Sequence, residues 1–300
     1  MINLPTILAI APFLIFLFLL LIKKVTLLKT SVITLGIYTA LAILYWKILP
    51  SFLYISYGKG IFIAFDIFII IFGAIFFLEI LRELKIIKNI SYYLSSISKD
   101  YRVQVIIIAW FFISFLEGIA GFGVPAAIAV PILIGLGIPT IRALVLGLLG
   151  NSTPGVFGAA GTPIKVGFAG LNTTSVPFIA SLLNSVGLII PVFMLWIVTK
   201  GRTNRKKEFF EALPFAIWSG IVFIVPSILT IPLGQEFPSI VGSVVGLVVI
   251  IISIKFGIFV PKNILTLKEN KEEFQTMSAT KAFLPYGLLI YLIQGLLLYW

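Results

Sequence analysis

The sequence predicts an all-α polytopic membrane protein, and three observations carry that expectation. Sixty per cent of the 300 residues are hydrophobic and only 11% charged, against roughly 45–50% and 25% in soluble domains. The apolar residues fall in blocks of about 17–23, the length that crosses a hydrocarbon core about 30 Å thick as a helix. The basic residues cluster in the short polar stretches between those blocks.

Taken in order, the blocks predict spans at 6–22, 31–49, 61–81, 103–120, 124–139, 143–160, 176–198, 213–231, 240–259 and 282–300. That gives about 9–10 transmembrane segments in a single transporter domain over 1–300. The first span lacks a basic n-region and a small-residue cleavage site, so it reads as a retained helix rather than a signal peptide. The second is uninterrupted, and the third carries Asp66 near one end and Glu79 at the other. The fourth holds Glu117. The fifth is short and carries Pro125, Pro131, Gly135, Gly137 and Pro139, while the sixth ends in a polar, glycine-rich stretch. Either of these two reads as a half-helix or as one limb of a re-entrant hairpin, so discontinuous helices are expected around 117–165.

The remaining spans are ordinary apolar runs. Gly242-Ser243-Val244-Val245-Gly246 in the ninth is a small-xxx-small packing face with no chemistry assigned. Tyr45, Trp46, Trp196, Tyr299 and Trp300 sit near span ends, where amphipathic rings favour the headgroup level.

The longest polar stretches, 82–102, 199–212 and 260–281, are each too short for a core of their own. The first mixes Ile86, Ile87, Ile90 and Leu94 with basic residues and reads either as an amphipathic helix in the interface or as a simple loop. With the N-terminus outside and every span crossing, 19 of the 22 basic residues fall inside, leaving Lys47, Lys59 and Lys165 outside. The expected location is the plasma membrane, multi-pass. The net charge of +11 then reports topology and contact with anionic headgroups, with no call for a nucleic-acid partner. The chain has no Cys and no His, which removes disulfides, thiol chemistry and imidazole catalysis, relay or metal binding. No metal or cofactor is expected. No H-E-x-x-H, G-x-S-x-G or nucleotide-binding loop is present, so the chain is not read as an enzyme.

Candidate chemistry concentrates where polar residues interrupt the apolar runs. Glu117-Gly118-Ile119-Ala120-Gly121-Phe122-Gly123-Val124-Pro125 places a carboxylate and a helix-breaking cluster inside one span. A charge at mid-bilayer costs about 2.5–3.5 kcal/mol on insertion scales, and a broken helix needs protein or water to satisfy its backbone. Glu117 lies about 21 Å from the inner edge of its span at 1.5 Å per residue. It reads either as a protonatable group lining a solute path or as a cap on the broken segment after it. Asp66 is a second proton-coupling candidate, although its place near a span end also suits a solvated residue.

Asn151-Ser152-Thr153-Pro154 forms the second polar cluster, followed by Gly155, Gly158, Gly161, Thr162, Pro163 and Lys165. Amide and hydroxyl groups beside a broken helix, with the backbone opened at Gly121 and Gly123, can hold a carboxylate without a full positive charge. Gly121, Gly123, Asn151, Ser152, Thr153 and Thr162 are the candidate substrate contacts. Packing remains an equal reading for the polar four and the favoured one for Gly155, Gly158 and Gly161. Lys165 suits an interface anchor or an electrostatic lure for anions. Gly121–Pro125 and Gly158–Pro163 echo one another weakly, both ending small-x-Pro.

At Glu117–Pro125 the sequence resembles the L-lactate permease family, with its E-G-x-x-G-F-G-x-P signature. Matching landmarks follow in order: Gly135-Leu136-Gly137, Asn151-Ser152-Thr153-Pro154, Phe157-Gly158-Ala159, Gly161-Thr162-Pro163-Ile164, Glu236-Phe237-Pro238-Ser239-Ile240 and Pro261-Lys262-Asn263. The resemblance implies proton-coupled transport of a small 2-hydroxymonocarboxylate such as lactate or glycolate. It also implies a longer protein than these 300 residues. These 300 residues would then be a fragment, a reduced homologue or one part of a transporter whose missing half a homo-oligomer or a second chain supplies, and a non-transporting fragment or subunit stays open. Carriers of other organic or inorganic anions with this architecture are the alternative within transport.

Overall fold

A computed structural model describes residues 3–22, 25–121, 123–168 and 175–267, together with 277–278, 280–282, 284–285 and 288. Most of the expected span 282–300 lies outside the described residues, as do Lys23, Lys24, Phe122, Lys268 and Lys271. The described residues are helical, with no strand among them. Contacts divide the chain into two units, Met1–Phe68 and Ile69–Trp300.

In the first unit α1 (Leu4–Leu21) and α2 (Leu27–Leu44) precede α3, which begins at Pro50 and runs to Glu83 in the second unit. Thr26 caps α2 by accepting from the Lys29 N–H. The Tyr38 hydroxyl donates to the Ala9 carbonyl at 3.1 Å, and the Thr39 and Tyr57 hydroxyls bond to each other. α3 is longer than the expected span 61–81, because no proline interrupts it after Pro50. Its 34 residues make it about 51 Å long, more than one hydrocarbon thickness.

The second unit is built around a helix hidden on all sides. α4 (Ile86–Ser96) follows a left-handed Lys85 and buries Ile86, Ile87, Ile90 and Leu94 against the protein core, so the segment 82–102 contains an amphipathic helix rather than a simple loop. α5 (Tyr101–Ile119) carries a π turn at Ile107–Phe112 and is buried almost throughout, as expected of a helix that is apolar all round. α6 (Val124–Gly135), α7 (Thr140–Ser152), α8 (Pro154–Gly167), α9 (Val176–Thr199), α10 (Arg205–Leu233) and α11 (Pro238–Phe256) complete it. Close approach comes from small residues, as in other membrane helix pairs. Gly150 of α7 leaves room for the Ala109 carbonyl of α5, and Gly242 and Gly246 of α11 lie on Ser227, Phe111 and the α10 backbone. The small-xxx-small face is thus a packing face.

Seven of the described helices are long and apolar enough to span a membrane, and the bent pair α7–α8 makes an eighth. The count falls below the ten expected spans for two reasons: α6, with 12 residues, is too short to cross alone, and the final segment is not described.

One end of α5 is tied down by charge. Arg102 donates to both Asp100 oxygens at 3.0 and 2.7 Å, to the Glu208 carbonyl at 2.7 Å and to the Asn263 carbonyl at 2.8 Å. Glu211 stands 3.5 Å from the same guanidinium and accepts from the Asn263 backbone and side chain. The three basic stretches that the charge distribution assigned to a common side therefore meet, through 100–102, 208–211 and 263–265, in one network.

Candidate functional site

Two breaks in the helical backbone face each other in the second unit. The first separates α5 from α6, where Gly121 and Gly123 adopt φ of +63° and +76° and Pro125 starts the new helix. The second lies between α7 and the body of α8. A 3₁₀ turn at Pro154–Phe157 leads into Ala159, Ala160 and Gly161, all left-handed, and the pair of helices bends by 51°. The left-handed region costs an L-residue such as alanine roughly 1–2 kcal/mol, so the surrounding contacts must hold the chain there. One such contact is explicit. A Cβ on Gly121 would stand 2.7 Å from the Ala159 Cβ and 2.8 Å from its nitrogen, so a side chain there would push the breaks apart.

Glu117 sits between the breaks, sixteen residues after Tyr101 and so about 24 Å along α5. It is 4% exposed. The Gly123 backbone N–H and the Asn151 side-chain amide lie close to its carboxylate. Gly158 forms the floor: a Cβ there would lie 2.6 Å from Glu117 Oε1. The carboxylate thus stands at the start of α6, where the helix dipole favours negative charge, and beside the end of α7. Its Oε2 has no hydrogen bond among the described residues, and the buried Asn151 Oδ1 and Ser114 Oγ are likewise unpaired. Buried polar atoms are ordinarily satisfied, so three orphan oxygens carried by the same two helices mark polar space for water or a solute.

The other candidates separate by surroundings. Thr153 is buried against Gly187, and its carbonyl accepts from Asn184 at 2.7 Å. Thr162 is buried and donates to the Ala159 carbonyl at 2.5 Å, so its proton is already used to hold the second break. Ser152 is exposed and donates to the Leu149 carbonyl one turn back. Gly123 has open space where a Cβ would project, unlike Gly121. Asp66 is exposed on α3 in the first unit.

Several residues hold the site through contacts that the sequence did not assign to them. Ser239 donates to the Pro154 carbonyl at 2.9 Å and pins the 3₁₀ turn to the start of α11. Lys165 pairs with Glu236 at 2.5 Å, which fixes α8 to the loop before α11, and Gly161 presses on the Gln235 backbone of that loop. Only the Glu236–Ile240 landmark hinted at this, since partners 71 or more positions apart leave no local signal.

The profile of the family described as L-lactate permease matches residues 5–297. The L-lactate permease of Streptococcus iniae is 37% identical over 163 residues, 53% of this chain and 34% of the relative. That of Bacillus subtilis is 29% identical over 253 residues, 83% of this chain and 44% of the relative. That of Escherichia coli K12 is 30% identical over 226 residues, 74% of this chain and 40% of the relative. No solved structure matches. The chain spans less than half the length of these curated relatives. By its ordered motifs and a profile match over nearly its whole length, this multi-pass membrane protein belongs to the L-lactate permease family.

Proposed function

We propose that the chain carries a small 2-hydroxymonocarboxylate, lactate or glycolate, together with a proton across the plasma membrane, as one transporter domain with its N-terminus outside. The observation that supports this best is the buried Glu117 carboxylate, wedged between two helix breaks with one oxygen unpaired among the described residues. A carboxyl group in such a place can take up a proton on one side and release it on the other. A monoanion moving with one proton is electroneutral, so a potential that acts at about 2.3 kcal/mol per charge per 100 mV neither drives nor opposes it. In this reading Glu117 carries the proton. Asn151 and Thr153, with the backbone opened at Gly121 and Gly123, contact the solute, and Thr162 holds the second break in shape. Ser152 and Asp66 are the weaker candidates because both are exposed.

Because the match covers less than half of each relative, we take the transport unit to include further membrane segments, carried by a longer chain, a second copy or another chain. The same coverage favours a second reading, in which these 300 residues are a non-transporting fragment or subunit. Vesicles holding the chain with whatever completes it distinguish the two. Wild-type protein should accumulate lactate under a pH gradient, and counterflow against a panel of unlabelled acids should rank lactate or glycolate first. Glu117→Gln should lose net accumulation while lactate exchange, which moves no net proton, survives. Retained accumulation in the variant removes Glu117 from coupling, and a different acid ranked first replaces the substrate. For orientation, cysteines placed at Ser96 and Thr203 should resist an impermeant thiol reagent applied outside.

A further inference from the structure

Away from the breaks, where α9 hands over to α10, Trp196, Asn204, Arg205, Lys206, Lys207 and Phe210 line an open cavity of about 720 Å³. Its charge is uncompensated. The acids on the same turns face elsewhere: Glu208 lies 2.7 Å from Arg202, and Glu211 is taken by Arg102 and Asn263. Neither Lys206 nor Lys207 has an ionic partner among the described residues. Lys200 and Arg205 both lie over the Trp196 ring, at 5.3 and 5.2 Å. α10 also starts here, and Asn204 makes no side-chain cap, so the N–H groups of the first turn remain free for an anion.

The apolar part of the cavity points to the anion's source. Trp196 and Phe210 are 43% and 64% exposed, and the neighbouring Phe193 of α9 is 51% exposed. The cavity lies where two candidate spans, Val176–Thr199 and Arg205–Leu233, meet, and aromatic rings at span ends favour the headgroup level. A soluble phosphate would gain nothing from the aromatic wall. Basic pockets between membrane helices with such walls suit anionic headgroups. We propose that this cavity is a binding site for an anionic phospholipid. Its phosphate is held by Arg205, Lys206, Lys207 and the first turn of α10, and its proximal acyl carbons lie against Trp196 and Phe210. The proposal is independent of the transport reading.

The test uses the full chain in bilayers containing phosphatidylglycerol or phosphatidylcholine with brominated acyl chains, which quench nearby tryptophan fluorescence. Subtracting the signal of Trp196→Phe isolates Trp196. Brominated phosphatidylglycerol should be enriched at Trp196 over brominated phosphatidylcholine by about tenfold or more, given three basic groups that each contribute a few-fold. The triple variant R205Q/K206Q/K207Q should bring that ratio close to one, and Arg205→Gln alone should lower it by a few-fold should the triple variant fail to fold. Lys255→Gln, outside the cavity, should leave it unchanged. Equal quenching by the two lipids in the wild type, or a preference that survives both cavity variants, overturns the proposal. Displacement of phosphatidylglycerol by dissolved inorganic phosphate or glycerol 3-phosphate overturns it in favour of a soluble ligand.

Discussion

The two ends of α5 bury ionic groups in opposite ways. Arg102 is 0% exposed, and its Nε, Nη1 and Nη2 groups all find acceptors among Asp100, Glu208, Glu211 and Asn263. Asp100 in turn accepts from the Leu265 backbone at 3.0 Å. Glu117, at 4% exposure, has no cation beside it in any described contact, and one of its oxygens is unpaired. A buried charge that is fully paired fixes geometry, and removing one partner strands the other. A buried carboxylate with spare hydrogen-bonding capacity is free to change partners. The closed end suits a lock, and the open end suits a site that exchanges a proton or meets a solute.

Stability measurements can break that comparison. The largest effect should come from Arg102→Gln, which leaves Asp100 and Glu211 without their cation and should cost about 3–5 kcal/mol, read as a lowered thermal midpoint of the purified chain in detergent. A loss below about 1 kcal/mol would mean that the network is not the lock described here. Next comes Gly158→Ala, whose methyl would press on Glu117 Oε1, a change of about 1–3 kcal/mol for overpacking. In the background of Glu117→Ala the same methyl should cost little. The difference, a coupling of about 0.5–3 kcal/mol, checks that the two residues touch.

Glu117→Gln should be milder. The amide keeps the shape and one acceptor, and no cation is left stranded, so stability should change by about 1 kcal/mol or less even where transport fails. A large loss would make the site as closed as the Arg102 end and would remove the contrast. The smallest effect is expected from Arg82→Ala. Its pair with Glu79 at 3.5 Å is exposed on both sides, at 59% and 58%, and screened by water, which holds the contribution below about 1 kcal/mol.

Much of this architecture was legible in the sequence. The lengths of the apolar runs set most of the spans, because the bilayer core has a fixed thickness and a helix a fixed rise. The glycines and prolines at 121–125 and 154–163 located both breaks, because they remove backbone donors or permit left-handed conformations. α6 had more than one reading: its apolar residues suited a span, a half-helix or one limb of a re-entrant hairpin, and its helix stops at Gly135 after 12 residues, too short for a full span.

The chemistry of Glu117 depended on packing between distant segments. Composition showed a carboxylate in an apolar run and left capping and solute contact as alternatives. The folded chain sets it near the Gly123 N–H and the Asn151 amide and against Gly158, with an oxygen that has no partner among the described residues. It likewise turned Lys165 from a charge near a span end into an ion pair with Glu236, and Ser239 into a pin on Pro154. Runs of apolar residues and helix breakers act through neighbours along the chain, so the sequence by itself determined the membrane-spanning helices and their interruptions. Which polar atoms find partners depends on residues brought together from 71 to 85 positions apart, and that only the tertiary structure could decide.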